Sequence, residues 1–214
     1  MTVTRGRLVA LEGIDGCGKS TQTRMLVERM GLNSDLVPVT TFEPGGTPLG
    51  ASLRGLLLGR DSAPVVPRAE ALLMAADRAQ HVADVITPAL EAGRWVVTDR
   101  YSASTLAYQG YGRGLDLIEL EAIVGWATGG LRPDLTVLFD LPVSVAAARR
   151  QGYGDDRMEA EGLAFQQRVA DGFLALAGRG PDPWLVVDAT DPEELVAANV
   201  WNAIEVLAGR EGLP

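Results

Sequence analysis

The chain has 214 residues, of which 47% are hydrophobic, and a formal net charge of −9; that is enough for one well-buried domain, short for two, and too apolar for disorder. The acidic balance, with no Lys/Arg run longer than two, argues against a nucleic acid polymer as partner, and the single cysteine, Cys17, excludes an intrachain disulfide. No apolar run reaches the roughly 18 residues that span a bilayer, and the polar Met1–Arg7 carries no secretion-signal stretch, so a soluble cytoplasmic protein with no membrane partner is expected.

Leu8–Leu11 reads as an apolar strand running into Glu12 and Gly13. A helix is expected from Lys19 to about Met30, a second strand over Val37–Phe42, and a helix opened by Pro48 and running to about Leu58. A long helical pattern covers Arg68 to about Ala92, with Pro88 kinking or restarting it. Trp95–Thr98 is a third strand, ending at Asp99. Ala107–Gly114, with three glycines, reads as a flexible polar loop, and Leu115–Ala127 as a helix. Leu135–Phe139 is a fourth strand, ending at Asp140; a short helix over Pro142–Arg150, a glycine-rich loop over Gln151–Arg157 and a longer helix over Glu161–Ala177 follow. Trp184–Val187, ending at Asp188, is a fifth strand, and Pro192–Leu207 a closing helix.

Nearly continuous apolar strands alternating with helices predict an α/β fold: a five-stranded parallel sheet between two helical layers, a single domain over 1–214. Ligands of such sheets bind beyond the carboxyl ends of the strands, where Glu12, Asp99, Asp140 and Asp188 stand.

The basic residues sharpen this. Lys19 is the only lysine; the other 18 cations are arginines. It closes Gly13-Ile14-Asp15-Gly16-Cys17-Gly18-Lys19-Ser20, the G-x-x-x-x-G-K-[ST] pattern of a phosphate-binding P-loop, between an apolar strand and a helix. In such a loop the glycines let backbone N–H groups approach phosphate oxygens. The lysine reaches the β- and γ-phosphates, and the serine hydroxyl serves Mg²⁺. Gly13, Asp15, Gly16, Cys17, Gly18, Lys19, Ser20 and Thr21 are therefore expected to bind ATP, with Mg²⁺ as cofactor.

Beyond the loop the sequence resembles the thymidylate kinases across nearly its full length. The resemblance rests on Leu11–Thr21, Glu43-Pro44-Gly45-Gly46-Thr47-Pro48, Ala75-Ala76-Asp77-Arg78-Ala79-Gln80-His81, Asp99-Arg100-Tyr101 and Leu106–Gly114. It implies a P-loop NTPase sandwich that moves the γ-phosphoryl group of ATP to dTMP, and a homodimer to which the Arg68–Ala92 helix contributes. It implies that Asp15 contacts the acceptor's 3′-hydroxyl, and that Arg100 forks its phosphate while Asp99 serves the metal with Ser20. Met74 and Arg78, at i and i+4, share one helix face. By resemblance Met74 stands where a phenylalanine stacks on thymine, and Arg78 bonds a base carbonyl. Tyr108 lies beneath the deoxyribose, Ser104, Thr105 and Gln109 beside the acceptor, and Pro44 at a position often cis. Phe42 occupies the place of an arginine that meets the acceptor phosphate. Arg149, Arg150 and Arg157 bracket the Gln151–Arg157 loop, a lid over about 150–158, and their charge is expected at the transferring phosphoryl group.

The acceptor is a phosphate monoester whose oxygen is already a nucleophile, so catalysis reduces to positioning and charge neutralisation by Lys19, Mg²⁺ and the arginines. Two alternatives stand beside this. A kinase of another monophosphate or of a deoxynucleoside would, in the second case, need Glu12 as a base. A non-catalytic P-loop switch would not need Arg78, Arg100 and Tyr108.

Overall fold

Leu8–Glu12 (β1) is buried at all five positions, because both faces of the strand are covered. Alternation along it sends Val9 and Leu11 into one apolar cluster and Leu8 and Ala10 into another. The first cluster joins Leu26 and Met30 of the helix Lys19–Gly31 (α1) to Val196, Val200 and Ile204 of the last helix; the second joins Val82, Ile86 and Leu90. These contacts come from the computed structural model of the chain, which describes residues 5–32, 36–59, 63–149, 158, 161–180 and 182–209.

Val39–Phe42 (β2), Val96–Asp99 (β3), Leu135–Asp140 (β4) and Trp184–Asp188 (β5) complete a five-stranded sheet in the order β2-β3-β1-β4-β5. Every pairing is parallel, with Val9 opposite both Val97 and Leu135. This is the α/β sandwich expected of a P-loop NTPase. β1 lies between β3 and β4, so its carboxyl end opens at the point where the chain's winding reverses, and a ligand crevice forms there.

The remaining helices are Pro48–Leu58 (α2), Pro67–His81 (α3), Thr87–Glu91 (α4), Ser102–Thr105 (α5), Leu117–Thr128 (α6), Val143–Arg149 (α7), Leu163–Ala177 (α8) and Glu193–Leu207 (α9). Thr47 caps α2 by accepting the Gly50 N–H at 2.9 Å, and Asp116 caps α6 by accepting from Ile118 and Glu119.

The restart expected at Pro88 is present, and one expectation, the loop over Ala107–Gly114, needs correction. The long helix expected over Arg68–Ala92 is interrupted at Val82–Ile86 by a wide π-helical turn, where the Thr87 N–H reaches back to the Val82 carbonyl. Pro88 is the cause: it has no N–H to offer the preceding turn, and the backbone widens ahead of it. Ala107–Gly114 is not a loop. Leu106–Gly112 continues α5 as a buried π-helical segment. Its glycines serve close packing, not flexibility. A β-carbon on Gly112 would lie 2.7 Å from the Phe165 ring of α8, and one on Gly172 of α8 would lie 2.6 Å from Tyr111. The expected loop Gln151–Arg157 lies outside the described residues.

Candidate active site

The turn after β1 is built from backbone geometry that side chains resist. Gly13, Gly16 and Gly18 have φ of 142°, 86° and 96°. A β-carbon on Gly13 would also strike Cys17 Sγ and the Phe139 carbonyl, each at 2.8 Å. Gly18 caps α1, so the free N–H groups of that helix's first turn and its positive dipole end face the same concavity. Lys19 Nζ donates to the carbonyls of Gly13 and Ile14 at 3.0 and 3.1 Å, which holds the ammonium under the loop. Cys17 is buried in the loop wall.

A second group converges on the loop from β3. Arg100 stands directly after that strand with φ 71°, a left-handed backbone that costs a non-glycine residue about 1–2 kcal/mol. The Leu11 carbonyl holds it there by accepting its N–H at 2.9 Å. Its guanidinium pairs with Asp15 and donates to the Gly13 carbonyl, Ser104 Oγ and the Tyr108 hydroxyl. Tyr108 in turn donates to Asp15 Oδ2 at 3.0 Å. Burial alone would raise the Asp15 carboxyl, but the charges of Arg100 and Lys19 outweigh it and hold the group well below the usual carboxylate range. Burial pushes the Tyr108 phenol well up, so it remains a donor. Thus Asp15, Arg100, Ser104 and Tyr108 form one hydrogen-bonded unit.

Beyond Asp15 lies a partly open cavity lined by Asp15, Glu43, Pro44, Arg54, Leu58, Met74, Arg78, Arg100, Ser104, Thr105, Tyr108, Gln109 and Met158. Arg78, only 2% exposed, is fixed by Glu43 Oε2 at 2.8 Å, Thr105 Oγ1 at 2.8 Å and the Tyr101 carbonyl at 2.9 Å. His81 Nδ1 meets the other Glu43 oxygen at 2.8 Å, and its Nε2 meets Thr41 Oγ1 at 2.6 Å. The single histidine therefore braces Glu43 and takes no place on the cavity wall. The Glu43–Pro44 bond is cis.

Phe42 is half exposed and lies outside this wall, in an open groove with Ser20 and Asp99. Arg54 of α2 reaches the cavity instead: it donates to the Pro44 carbonyl at 2.8 Å and lies 5.9 Å from the Phe42 ring centre. Arg78 and Arg100 each face a carboxylate; among the described residues Arg54 faces none within ion-pair distance.

Ser20 and Asp99 are brought together at the outer side of the loop. Asp99 Oδ1 is buried with no hydrogen-bond partner among the described residues. A buried, unpartnered carboxylate oxygen beside a hydroxyl fits Mg²⁺ or one of its waters. Arg149, at the end of α7, donates to the Ala189 carbonyl at 3.1 Å and shares a small cavity with Cys17, Gly18 and Thr21. This is a different cavity from the one that Arg78 and Arg100 line. Arg150 and Arg157 lie outside the described residues.

Sequence reasoning passed over Arg54, Leu58, Met158 and Glu70, and named Glu12 only as a strand-end acid and as the base that a deoxynucleoside acceptor would need. Two buried acids stand behind the wall. Glu12 is one of these. Its carboxyl accepts from the N–H groups of Tyr101 and Ser104 and from the Ser104 hydroxyl at 2.6 Å, and burial pushes it up to about 7. Glu70 is another: fully buried, it accepts from Gln109 Nε2 and from Arg113. Glu70 is signalled only as a polar residue amid apolar helix positions.

The family whose model matches the chain, over residues 11–200, is described as thymidylate kinase. A thymidylate kinase of Synechococcus sp. (strain CC9605) is 52% identical over 90% of this chain and 94% of its own length. One from Synechococcus sp. (strain RCC307) is 51% identical over 98% of both chains, and one from Carboxydothermus hydrogenoformans is 48% identical over 97% of this chain and all of its own.

Proposed function

The chain belongs to the thymidylate kinase family and is an ATP:dTMP phosphotransferase, and from this premise we propose that its residues divide into a donor set and an acceptor set meeting at Arg100. The products are dTDP and ADP. The donor set is Gly13, Asp15, Gly16, Cys17, Gly18, Lys19, Ser20 and Thr21. Its backbone N–H groups cradle the phosphates, and Lys19 leaves the Gly13 and Ile14 carbonyls for phosphate oxygen. Ser20 and Asp99 would hold Mg²⁺, which would supply positive charge against the donor's phosphates. Arg149 covers the adenine end, because its guanidinium rests on Ala189 in the cavity bounded by Cys17 and Thr21. The resemblance assigns Arg150 and Arg157 to the lid over the transferring group.

In the acceptor set, Arg100 and Arg54 take the phosphate of dTMP. Arg54 supplies the cation that Phe42 withholds, and its freedom from any carboxylate among the described residues supports this role. Asp15 and Tyr108 hold the sugar, while Met74, Pro44, Arg78, Ser104, Thr105 and Gln109 enclose the base. The observation that carries the reading is the Asp15–Arg100–Tyr108 unit, which joins the phosphate loop to the acceptor cavity in one hydrogen-bonded set. The in-line oxygen of the acceptor phosphate needs no base, only an arginine fork that holds it toward the γ-phosphorus. A deoxynucleoside acceptor would need one. The candidate Glu12 is engaged by Tyr101 and Ser104 and does not line the acceptor cavity, which favours the monophosphate.

No described helix is long and apolar enough to cross a membrane; we place the enzyme in the cytoplasm and read it as a homodimer. The dimer reading rests on α2, α3 and α6, which carry exposed Leu49, Leu56, Leu72, Ile118 and Trp126.

ADP release from ATP and Mg²⁺, measured with the monophosphates of thymidine, deoxyuridine, deoxycytidine, uridine, deoxyguanosine and adenosine and with thymidine itself, tests the assignment. Strong preference for dTMP is expected, and Lys19→Ala abolishes turnover. Preference for another acceptor, or hydrolysis indifferent to acceptor, overturns it.

A further inference from the structure

Among the described residues Gln109 is the one carboxamide on the wall of the acceptor cavity, and an amide can present either its oxygen or its NH₂. The structure holds it in one sense. Its Nε2 donates to Glu70 Oε1 at 2.9 Å. Glu70 lies on α3, one turn before Met74, and is fully buried. Its carboxylate is paired with Arg113, whose Nε meets Oε1 at 3.2 Å and whose Nη2 meets Oε2 at 3.1 Å. Arg113 in turn faces Glu161 at 2.6 Å and stacks 4.9 Å from the Phe165 ring centre. An ionised carboxylate only accepts, so Glu70 holds the NH₂ edge of Gln109 and repels its oxygen. No described residue donates to Gln109 Oε1, and that oxygen is left to the cavity that Gln109 lines.

We propose that Glu70 is a positioning residue that sets base specificity: by holding the Gln109 NH₂ it turns the Gln109 carbonyl oxygen toward the acceptor's base. The inference rests on the reading of this cavity as the dTMP site. Thymine carries a donor, N3–H, on the edge that such an oxygen reads. Cytosine carries a bare lone pair at N3, which the oxygen repels. Arg78, whose guanidinium only donates, favours a carbonyl over an amino group at the neighbouring position. The two residues therefore read the base edge with opposite polarity. Arg78 needs no orienting to do so, whereas Gln109 does. Specificity of this kind comes as much from repelling the wrong base as from binding the right one.

The test compares kcat/KM for dTMP and dCMP in the wild type, Glu70→Gln, Glu70→Asp and Arg113→Gln. In Glu70→Gln the new amide can donate or accept, and Gln109 is free to turn. The dTMP:dCMP ratio then falls roughly tenfold, the size of one mismatched hydrogen bond, while Arg78 maintains the remainder. Glu70→Asp keeps an accept-only group and keeps the ratio. Equal losses for both acceptors in Glu70→Gln, with the ratio unchanged, would show that Glu70 only holds helices together and would overturn the proposal. Should Glu70→Gln not fold, Gln109→Leu decides: with the amide removed from the wall, a fallen dTMP:dCMP ratio supports the proposal and an unchanged ratio overturns it. Arg113→Gln breaks the ion pair but leaves the carboxylate on Gln109 and is expected to keep the ratio; a lost ratio there overturns the proposal. A wild type that does not prefer dTMP to dCMP would refute the acceptor site itself, a result distinct from either.

Discussion

Glu12 shows what a single buried carboxyl does to this protein. It sits at the end of β1 with three donors around it, yet burial outweighs them and lifts it from 4.5 to about 7. The folded chain thus binds this proton more tightly than the unfolded chain. Stability contributed by the proton is present below pH 4.5, is lost as pH rises toward 7, and changes no further above it. The loss amounts to about 3 kcal/mol. Melting temperature measured between pH 4 and 8 should fall across this window in the wild type and fall less in Glu12→Gln; parallel curves would show that Glu12 does not titrate there. Residues of this sort divide by how far their partners lie along the chain. Asp15, Arg100 and Tyr108 were legible because each stands inside a contiguous pattern. Glu70 and Gln109 are 39 residues apart, and their bond depends on how α3 packs against the segment after α5. Arg54 was passed over for a similar reason: nothing local to α2 marks it as reaching Pro44 and the cavity wall.

Strands and most helices followed from periodicity because burial on both faces writes an apolar run into each strand, and Pro48 and Pro192 mark helix starts. The Leu106–Gly112 segment did not. The three glycines of Ala107–Gly114 read as a flexible loop, whereas here Gly110 and Gly112 let neighbouring side chains approach a buried helix. A helix that needs room and a loop that needs freedom use the same residue, and only the neighbour tells them apart. Gly112→Ala should therefore destabilise the fold by about 1–3 kcal/mol, since the new methyl meets Phe165 and Val169. Because Tyr108 and Gln109 ride on the same segment, KM for dTMP should rise while KM for ATP stays near its original value. A denaturant midpoint and the two KM values check this; a rise confined to ATP would contradict it.

For the molecule as a whole, net charge and local charge disagree. In a chain of charge −9, Lys19, Arg54, Arg78 and Arg100 are gathered at one end of the sheet, where the proposed site would take two polyanionic substrates. The two acids on the cavity wall, Asp15 and Glu43, are already paired with arginine. The opposite imbalance appears on the outer helices. Trp126 is 85% exposed and Ile118 78%, on α6 packed beside α3. Side chains so apolar and so bare are what the dimer proposed above would cover. Sedimentation should give twice the chain mass for the wild type and the single-chain mass for Leu72→Glu with Trp126→Glu; a monomeric wild type would remove the dimer reading and leave the catalytic one untouched.

The solitary lysine has a consequence for chemistry done on the protein from outside. Apart from the chain's own terminus, this protein offers an acylating reagent one primary amine, and that amine is tucked beneath the phosphate loop with two carbonyls holding it. An amine-directed label on a side chain of the folded enzyme therefore reports on one loop alone, and the speed at which it attaches measures how often that loop lets go of its own cation.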